Sequence, residues 1–185
     1  MAAAPQRLVL LDRDGVINED SGEFIKSVTE WRPIPGSLEG IADLHHAGFR
    51  VVVVTNQSGV GRGLFTEDVL RDIHGHMRDA VERAGGALAG IYYCPHTPDA
   101  GCDCRKPRVG LLRRIERELG CSLERVPFVG DRVSDVDAAD VVGARPMLVR
   151  TGTGAATAEA LRGRPIEVFD DLRAAARALI AEVPC

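Results

Sequence analysis

Short apolar runs recur along this chain, separated by stretches of helical period. They fall at 8–11, 50–55, 89–93, 126–130, 146–150 and 166–169. Val51-Val52-Val53-Val54 is continuous rather than alternating, as a strand covered on both faces requires. Pro127 stands near the start of its run, where a strand tolerates it. Helices are expected over 37–47, 66–84, 109–119, 134–142 and 171–183. Gly48, Gly85-Gly86, Gly120 and Gly143 stand just past four of these segments, where a helix ends most easily. Thr66 is placed to cap the second helix. Leu70, Ile73, Met77, Ala80, Val81 and Ala84 repeat along it at helical spacing and form its apolar stripe.

Strand-helix alternation with short links predicts an α/β fold: a Rossmann-like parallel sheet with helices on both faces and ligands at the carboxyl ends of the strands. No repeat or linker divides the chain, and 1–185 reads as one domain. The long irregular stretches are 18–35 and 94–108, and loops of that length in such a fold are often functional.

Composition narrows the classes. Hydrophobic residues make up 45% of the chain and the net charge is −4, so neither nucleic acid nor a basic membrane surface is expected as a partner. No apolar run approaches the roughly 20 residues that cross a bilayer. The start, Met1 to Arg7, lacks the order of basic, apolar and cleavage regions of a signal peptide, which makes the cytoplasm the expected compartment. Of 23 basic residues only Lys26 and Lys106 are lysine. A chain that uses Arg almost everywhere raises the question of why these two positions do not.

Chemistry gathers at the strand ends. Asp12-Arg13-Asp14-Gly15-Val16 follows the first strand directly. Carboxylates two residues apart project in similar directions there and can bind Mg²⁺, and one can act as a nucleophile. Asp and Gly also serve plain turns. Thr55-Asn56-Gln57-Ser58-Gly59 ends the second strand, where a hydroxyl and free N–H groups can hold phosphate oxygens. The run Gly59 to Gly63 matches neither the dinucleotide nor the Walker pattern and reads as a turn. Lys106, in Cys104-Arg105-Lys106-Pro107, offers a compact point charge where a guanidinium would not fit, or else a solvated surface amine. Asp131, in Gly130-Asp131-Arg132-Val133-Ser134-Asp135, ends the fourth strand and is expected to meet Asp12 and Asp14. Three converging carboxylates repel unless a cation lies among them.

Cys94, His96, Cys102 and Cys104 put three thiols and an imidazole within eleven positions. Cys₃His is a frequent structural zinc set, although this spacing is not that of a zinc finger and reduced thiols without metal are the alternative. Pro95, Pro98 and Gly101 exclude a regular element, and a metal would offset the entropy of ordering so long a loop. Cys121 and Cys185 receive no role, nor do His45, His46, His74 and His76, which lack the i, i+4 spacing of helical ligands.

Taken together, Asp12-x-Asp14, Thr55, Lys106 and Gly130-Asp131-x-x-x-Asp135 resemble the four motifs of the haloacid dehalogenase superfamily of phosphatases, over nearly the whole chain. The motifs running from Asp12 to Asn18, Thr55 to Val60 and Cys104 to Pro107 are similar to its heptose bisphosphate and histidinol phosphatase branch. The resemblance implies a phosphoric monoester hydrolase acting on a small phosphorylated sugar. Asp12 is then the nucleophile and Asp14 the acid and base. Asp12, the Asp14 carbonyl and Asp131 hold Mg²⁺, and zinc sits on the Cys₃His set. Thr55 and Lys106 would face the substrate phosphate, with Asp135 orienting Lys106 or a metal-bound water. Asn56, Gln57 and Ser58 join the substrate site. Only about 40 residues separate Asp14 from Thr55, so no cap domain is expected and specificity falls to loops. The stretch Asn18 to Glu23 (Asn18, Glu19, Asp20, Ser21, Gly22 and Glu23), with Arg105 and Arg132, supplies the candidates for sugar or second-phosphate contacts, Arg being suited to bidentate recognition. An open pocket is compatible with a monomer. The heptose reading implies a role in making a lipopolysaccharide precursor. Histidinol phosphate is the alternative substrate, and a non-catalytic zinc-stapled interaction module the alternative of another class.

Overall fold

The computed structural model describes residues 7–183. Most of the Met1–Arg7 start, and Cys185, therefore lie outside the described residues. Six parallel strands form the sheet: β1 (Arg7–Leu11), β2 (Phe49–Asn56), β3 (Leu88–Cys94), β4 (Pro127–Gly130), β5 (Arg145–Val149) and β6 (Glu167–Phe169). Their order is β3-β2-β1-β4-β5-β6. The strand order reverses direction between β1 and β4, and at such a point the connections diverge and leave a crevice at the carboxyl edge.

The helices are α1 (Ser37–His46), α2 (Ser58–Gly61), α3 (Glu67–Arg83), α4 (Gly110–Leu119), α5 (Val133–Val142), α6 (Gly154–Ala160) and α7 (Leu172–Ala181). Successive strand residues point to opposite faces, and two cores result. Val9, Leu11, Val51 and Val53 pack with residues of α1, α3 and α7, among them Ile41, Met77 and Leu179. Leu8, Leu10, Val52, Val54 and Phe128 pack with Leu112 and Ile115 of α4 and Ala138 and Ala139 of α5. That two-sided cover is why the strands read as unbroken apolar runs. Thr66 caps α3 as its sequence position suggests, accepting from the Val69 N–H at 3.2 Å.

Two short helices, α2 and α6, were not expected. The glycine-rich stretch after β2 closes as one helical turn instead of an open loop. The α6 segment, Gly154-Ala155-Ala156-Thr157-Ala158-Glu159-Ala160, is rich in a strong helix former but has no apolar stripe. No cap domain interrupts the described residues: a 3-10 turn at Val28–Glu30 is the only helical element between β1 and α1. No helix of the described residues is long and apolar enough to cross a membrane.

Candidate active site

β1 delivers Asp12 to the carboxyl edge, where its N–H donates to the Val129 carbonyl of β4 at 2.9 Å. β4 delivers Asp131 one residue beyond its own end. The β3–α4 loop returns Lys106 over the end of β2, and Asn56 clamps it there: Nδ2 donates to the Lys106 carbonyl and Oδ1 accepts from its N–H, both at 3.1 Å. The Lys106 ammonium then lies 3.0 Å from Asp12 Oδ1 and 2.7 Å from Asp135 Oδ1, and donates to the Val54 carbonyl at 2.7 Å. Asp135, in the first turn of α5, also accepts from the Arg132 N–H at 3.0 Å, which fixes the start of that helix.

Carboxylate oxygens of Asp12, Asp131 and Asp135 lie within 4.8 Å of one another, all three residues buried. Asp131 Oδ2 accepts from the Thr153 N–H at 2.8 Å and the Thr153 hydroxyl at 2.9 Å. Its Oδ1 is buried with no hydrogen-bond partner, and the Arg132 guanidinium at 3.9 Å is too far to supply one. A buried carboxylate oxygen without a donor, beside two further carboxylates, fits a divalent cation bound through oxygen. Gly15, at φ +81°, makes room for it: a Cβ there would collide with the Asp131 carboxylate. Burial pushes the Asp12 carboxyl up to about 8, with Lys106 pulling against it and Asp135, Asp131 and Asp14 adding to it. Burial likewise pushes Asp131 up to about 6, against hydrogen bonds from Thr153. A bound cation would reverse both shifts. For Lys106, burial acts to neutralise the amine, but Asp12 and Asp135 outweigh it and hold the ammonium charged.

Asp14 is held differently. Its Oδ1 accepts from Arg13 Nε at 3.0 Å, Arg13 Nη2 at 2.8 Å and Asn18 Nδ2 at 2.9 Å. Its Oδ2 accepts from Gln57 Nε2 at 2.8 Å, and the same amide donates to Thr55 Oγ1 at 2.9 Å. Burial opposes ionisation here too, but the Arg13 charge and these hydrogen bonds prevail and hold the carboxyl below its ordinary range. The two carboxyls of one motif thus have opposed environments.

A pocket of about 430 Å³ opens over these groups. Asp12, Asp14, Thr55 and Lys106 form its floor, and Asn56, Gln57 and Ser58 one wall. Asp20, Ser21, Gly22, Arg105 and Arg132 stand around its mouth, where Arg132 Nη2 pairs with Asp20 Oδ2 at 2.6 Å. Asn18, Glu19 and Glu23 are not among the lining residues: Asn18 is buried and spends its amide on Asp14, while the Glu23 carboxylate is 91% exposed and faces Lys26 at 3.9 Å. Arg62, whose guanidinium lies 6.0 Å from the centre of the Phe24 ring, joins the wall with Phe24, Ile25 and Ser134. These four are missed by sequence reasoning, as are Arg13, Asn18 as an Asp14 partner, and Thr153. The Thr151-Gly152-Thr153-Gly154 run after β5 was the signal available for the last.

Beside the pocket, Cys94, His96, Cys102 and Cys104 converge with their ligand atoms within 4.8 Å. Cys94 Sγ lies 3.6 Å from Cys102 Sγ and 3.2 Å from Cys104 Sγ, while His96 Nδ1 is 3.6 Å from Cys94 Sγ and 3.2 Å from Cys104 Sγ. Disulfides close to about 2.05 Å, so these sulfurs are unbonded. Edges of this length are close to those of a tetrahedron with metal–sulfur bonds of about 2.3 Å, and the donor set suits zinc.

Known proteins place the chain. Residues 103–175 match the HAD-hydrolase-like family. A Pseudomonas putida protein named D-glycero-β-D-manno-heptose-1,7-bisphosphate 7-phosphatase is 51% identical, covering 94% of this chain and 99% of the relative. The Pseudomonas aeruginosa protein of the same name is 49% identical, covering 94% and 97%. The crystal structure of D,D-heptose 1,7-bisphosphate phosphatase from Bordetella bronchiseptica, complexed with magnesium and phosphate, superposes with a TM-score of 0.92 at 46% identity, covering 96% of this chain and 99% of that one. At such identity over nearly the full length of both chains, and with the sheet and its carboxylate cluster in place, the chain belongs to the D-glycero-β-D-manno-heptose-1,7-bisphosphate 7-phosphatase family of HAD-like hydrolases.

Proposed function

We propose that this chain is a single-domain hydrolase that removes the 7-phosphate of D-glycero-β-D-manno-heptose 1,7-bisphosphate through a phosphorylated Asp12. The observation that carries the reading is the buried Asp12 carboxylate at the pocket floor, 3.0 Å from the Lys106 ammonium and beside Asp131. The names of the relatives support the substrate, and the magnesium and phosphate of the Bordetella structure support the cation.

Asp12 and Asp131 would hold Mg²⁺, with the Asp14 carbonyl. Bound there, Mg²⁺ supplies Lewis-acid polarisation of the phosphoryl group and offsets the repulsion between carboxylate and phosphate. Lys106 and Thr55 bind phosphoryl oxygens and orient the phosphorus in line with Asp12. An Asp12 carboxylate oxygen attacks phosphorus, and the bond from phosphorus to the C7 oxygen breaks. Asp14 gives its proton to that oxygen as it leaves. A water then attacks the phosphorus of the aspartyl-phosphate, Asp14 takes the water's proton, and the Asp12 carboxylate leaves as phosphate is released. The donors around Asp14 keep it ionised, the state from which it can accept the water's proton in the second half of the cycle, and an entering substrate dianion raises its proton affinity for both transfers. Arg105, Arg132 and Arg62 at the mouth suit the remaining phosphate, and the Cys₃His cluster binds zinc and fixes the loop that carries Arg105 and Lys106. The product would feed assembly of a heptose-containing surface glycan in the cytoplasm.

Phosphate release from heptose 1,7-bisphosphate and histidinol phosphate, measured with Mg²⁺ for the wild type and Asp12→Asn, tests this reading. The expected result is a preference for the bisphosphate of at least about tenfold and a loss of roughly 1,000-fold or more in Asp12→Asn. Preference for histidinol phosphate would reverse the substrate assignment, and near wild-type turnover by Asp12→Asn would exclude the covalent route.

A further inference from the structure

Behind Asp14 lies a layer of buried polar groups to which the hydrolytic cycle gives no role. The Arg13 side chain has no exposed surface. Two of its nitrogens, Nε and Nη2, are spent on the Asp14 carboxylate. The third, Nη1, lies 3.2 Å from Nε2 of His74, a residue 61 positions away on α3. A guanidinium offers no acceptor, so Nε2 must accept and the imidazole must be neutral with its proton on Nδ1. The surroundings agree: burial, and then the Arg13 charge, hold the His74 pKa down to about 3. The Tyr93 ring stands edge-on at 5.6 Å between centroids and limits rotation of the imidazole. On the far side of Asp14, Asn18 and Gln57 donate to it from fixed elements.

We infer that His74 is a positioning residue for the acid step: by accepting from Arg13 Nη1 it holds the guanidinium fork square on Asp14, and so fixes the carboxyl that protonates the leaving oxygen. This rests on the assignment of Asp14 as the acid. A buried guanidinium that loses an acceptor has an uncompensated donor, and it relieves that cost by turning or by admitting water. Turning swings the fork off Asp14, and a water beside Nη1 holds the fork less firmly than an imidazole; Asp14 then keeps or gains proton affinity but loses its aim at the leaving oxygen. The defect then falls on proton delivery, because His74 touches neither the pocket floor nor the carboxylates proposed to hold the cation.

The leaving group separates this role from a merely structural one. A sugar alkoxide needs a proton in order to leave, whereas p-nitrophenolate leaves without one. The ratio of kcat/KM for heptose 1,7-bisphosphate to kcat/KM for p-nitrophenyl phosphate is therefore the readout, and it does not depend on the fraction of enzyme that is folded. His74→Leu is expected to lower this ratio roughly tenfold or more, and Asp14→Asn to lower it further. His74→Gln, whose amide oxygen can accept from Arg13 near the place of Nε2, is expected to restore most of it. If His74→Leu does not fold, His74→Asn, with a shorter reach to Arg13, carries the same expectation. A ratio within about twofold of wild type in the His74 variant, with Asp14→Asn clearly shifted, would overturn the inference and leave the acid role of Asp14 standing. A ratio unchanged in Asp14→Asn would instead overturn the acid role itself, and this inference with it.

Discussion

The Lys106 ammonium donates to the Val54 carbonyl and lies within 3.0 Å of one carboxylate oxygen each of Asp12 and Asp135. Its side chain is 1% exposed, and the Phe128 ring lies beneath it, 5.4 Å from the nitrogen to the ring centre. A guanidinium carries the same charge in a plane, is larger, and does not fit among those three oxygens in the space a compact ammonium fills. Lys106→Arg is accordingly expected to lower kcat at least about 100-fold while the protein stays folded and keeps its charge. Steady-state kinetics beside a thermal melt check this, and a variant within a few-fold of wild type would show that charge alone suffices. The rarity of lysine in this chain made the position legible before any geometry. Asp12 and Asp131 were legible for a related reason, since each stands directly beyond an apolar run. Arg13 and His74 were not. Their meeting depends on α3 lying against the carboxyl end of β1, and nothing local in either segment encodes that contact.

Among the elements, the loop between β3 and α4 bears most on the site. It has one 3-10 turn, at Pro98–Ala100, and little apolar burial of its own, yet it carries Arg105 and Lys106. Its order depends on Asn56 at one end and the Cys₃His cluster at the other. Purified protein is expected to hold about one tightly bound zinc per chain. Removing it with a chelator, or substituting Cys104→Ser, should raise KM and lower the melting temperature as the loop loosens. Metal analysis followed by activity assays decides this; a zinc-free protein of full activity and stability would contradict it. The strands and the five longer helices are legible from period and glycine stops, with every end placed within two residues. The helices α2 and α6 are not, because each is short and lacks the apolar stripe that period-based reading needs. The pocket wall at Arg62 and Phe24 escaped for the same reason: α2 decides where it lies.

At the scale of the molecule, the order β3-β2-β1-β4-β5-β6 gathers the chemistry. It sets β1 between β2 and β4, so Asp12 emerges with Thr55 on one side and Asp131 on the other, and the crevice falls where the connections part. With no cap domain among the described residues, the pocket is bounded by the loop after β1, the end of β2 with α2, the loop between β3 and α4, and the first turn of α5. The sheet edge thus forms the floor, and the proposed selectivity lies with the basic groups around the mouth. The lack of a cap among the described residues is what the short span from Asp14 to Thr55 suggests, whereas which mouth residues turn inward is not legible: Gly22 lines the pocket and its neighbour Glu23 does not. In the proposed cycle one carboxylate on this floor, Asp12, carries the phosphoryl group between substrate and water. Enzyme mixed with heptose bisphosphate bearing a radiolabelled 7-phosphate, quenched in acid within the first turnover and mapped by peptide, tests it directly. Label on the peptide containing Asp12, formed before free phosphate and absent from Asp12→Asn, is the expected result. Free phosphate appearing at the full rate with no labelled protein at any time, or label on another residue, would contradict it.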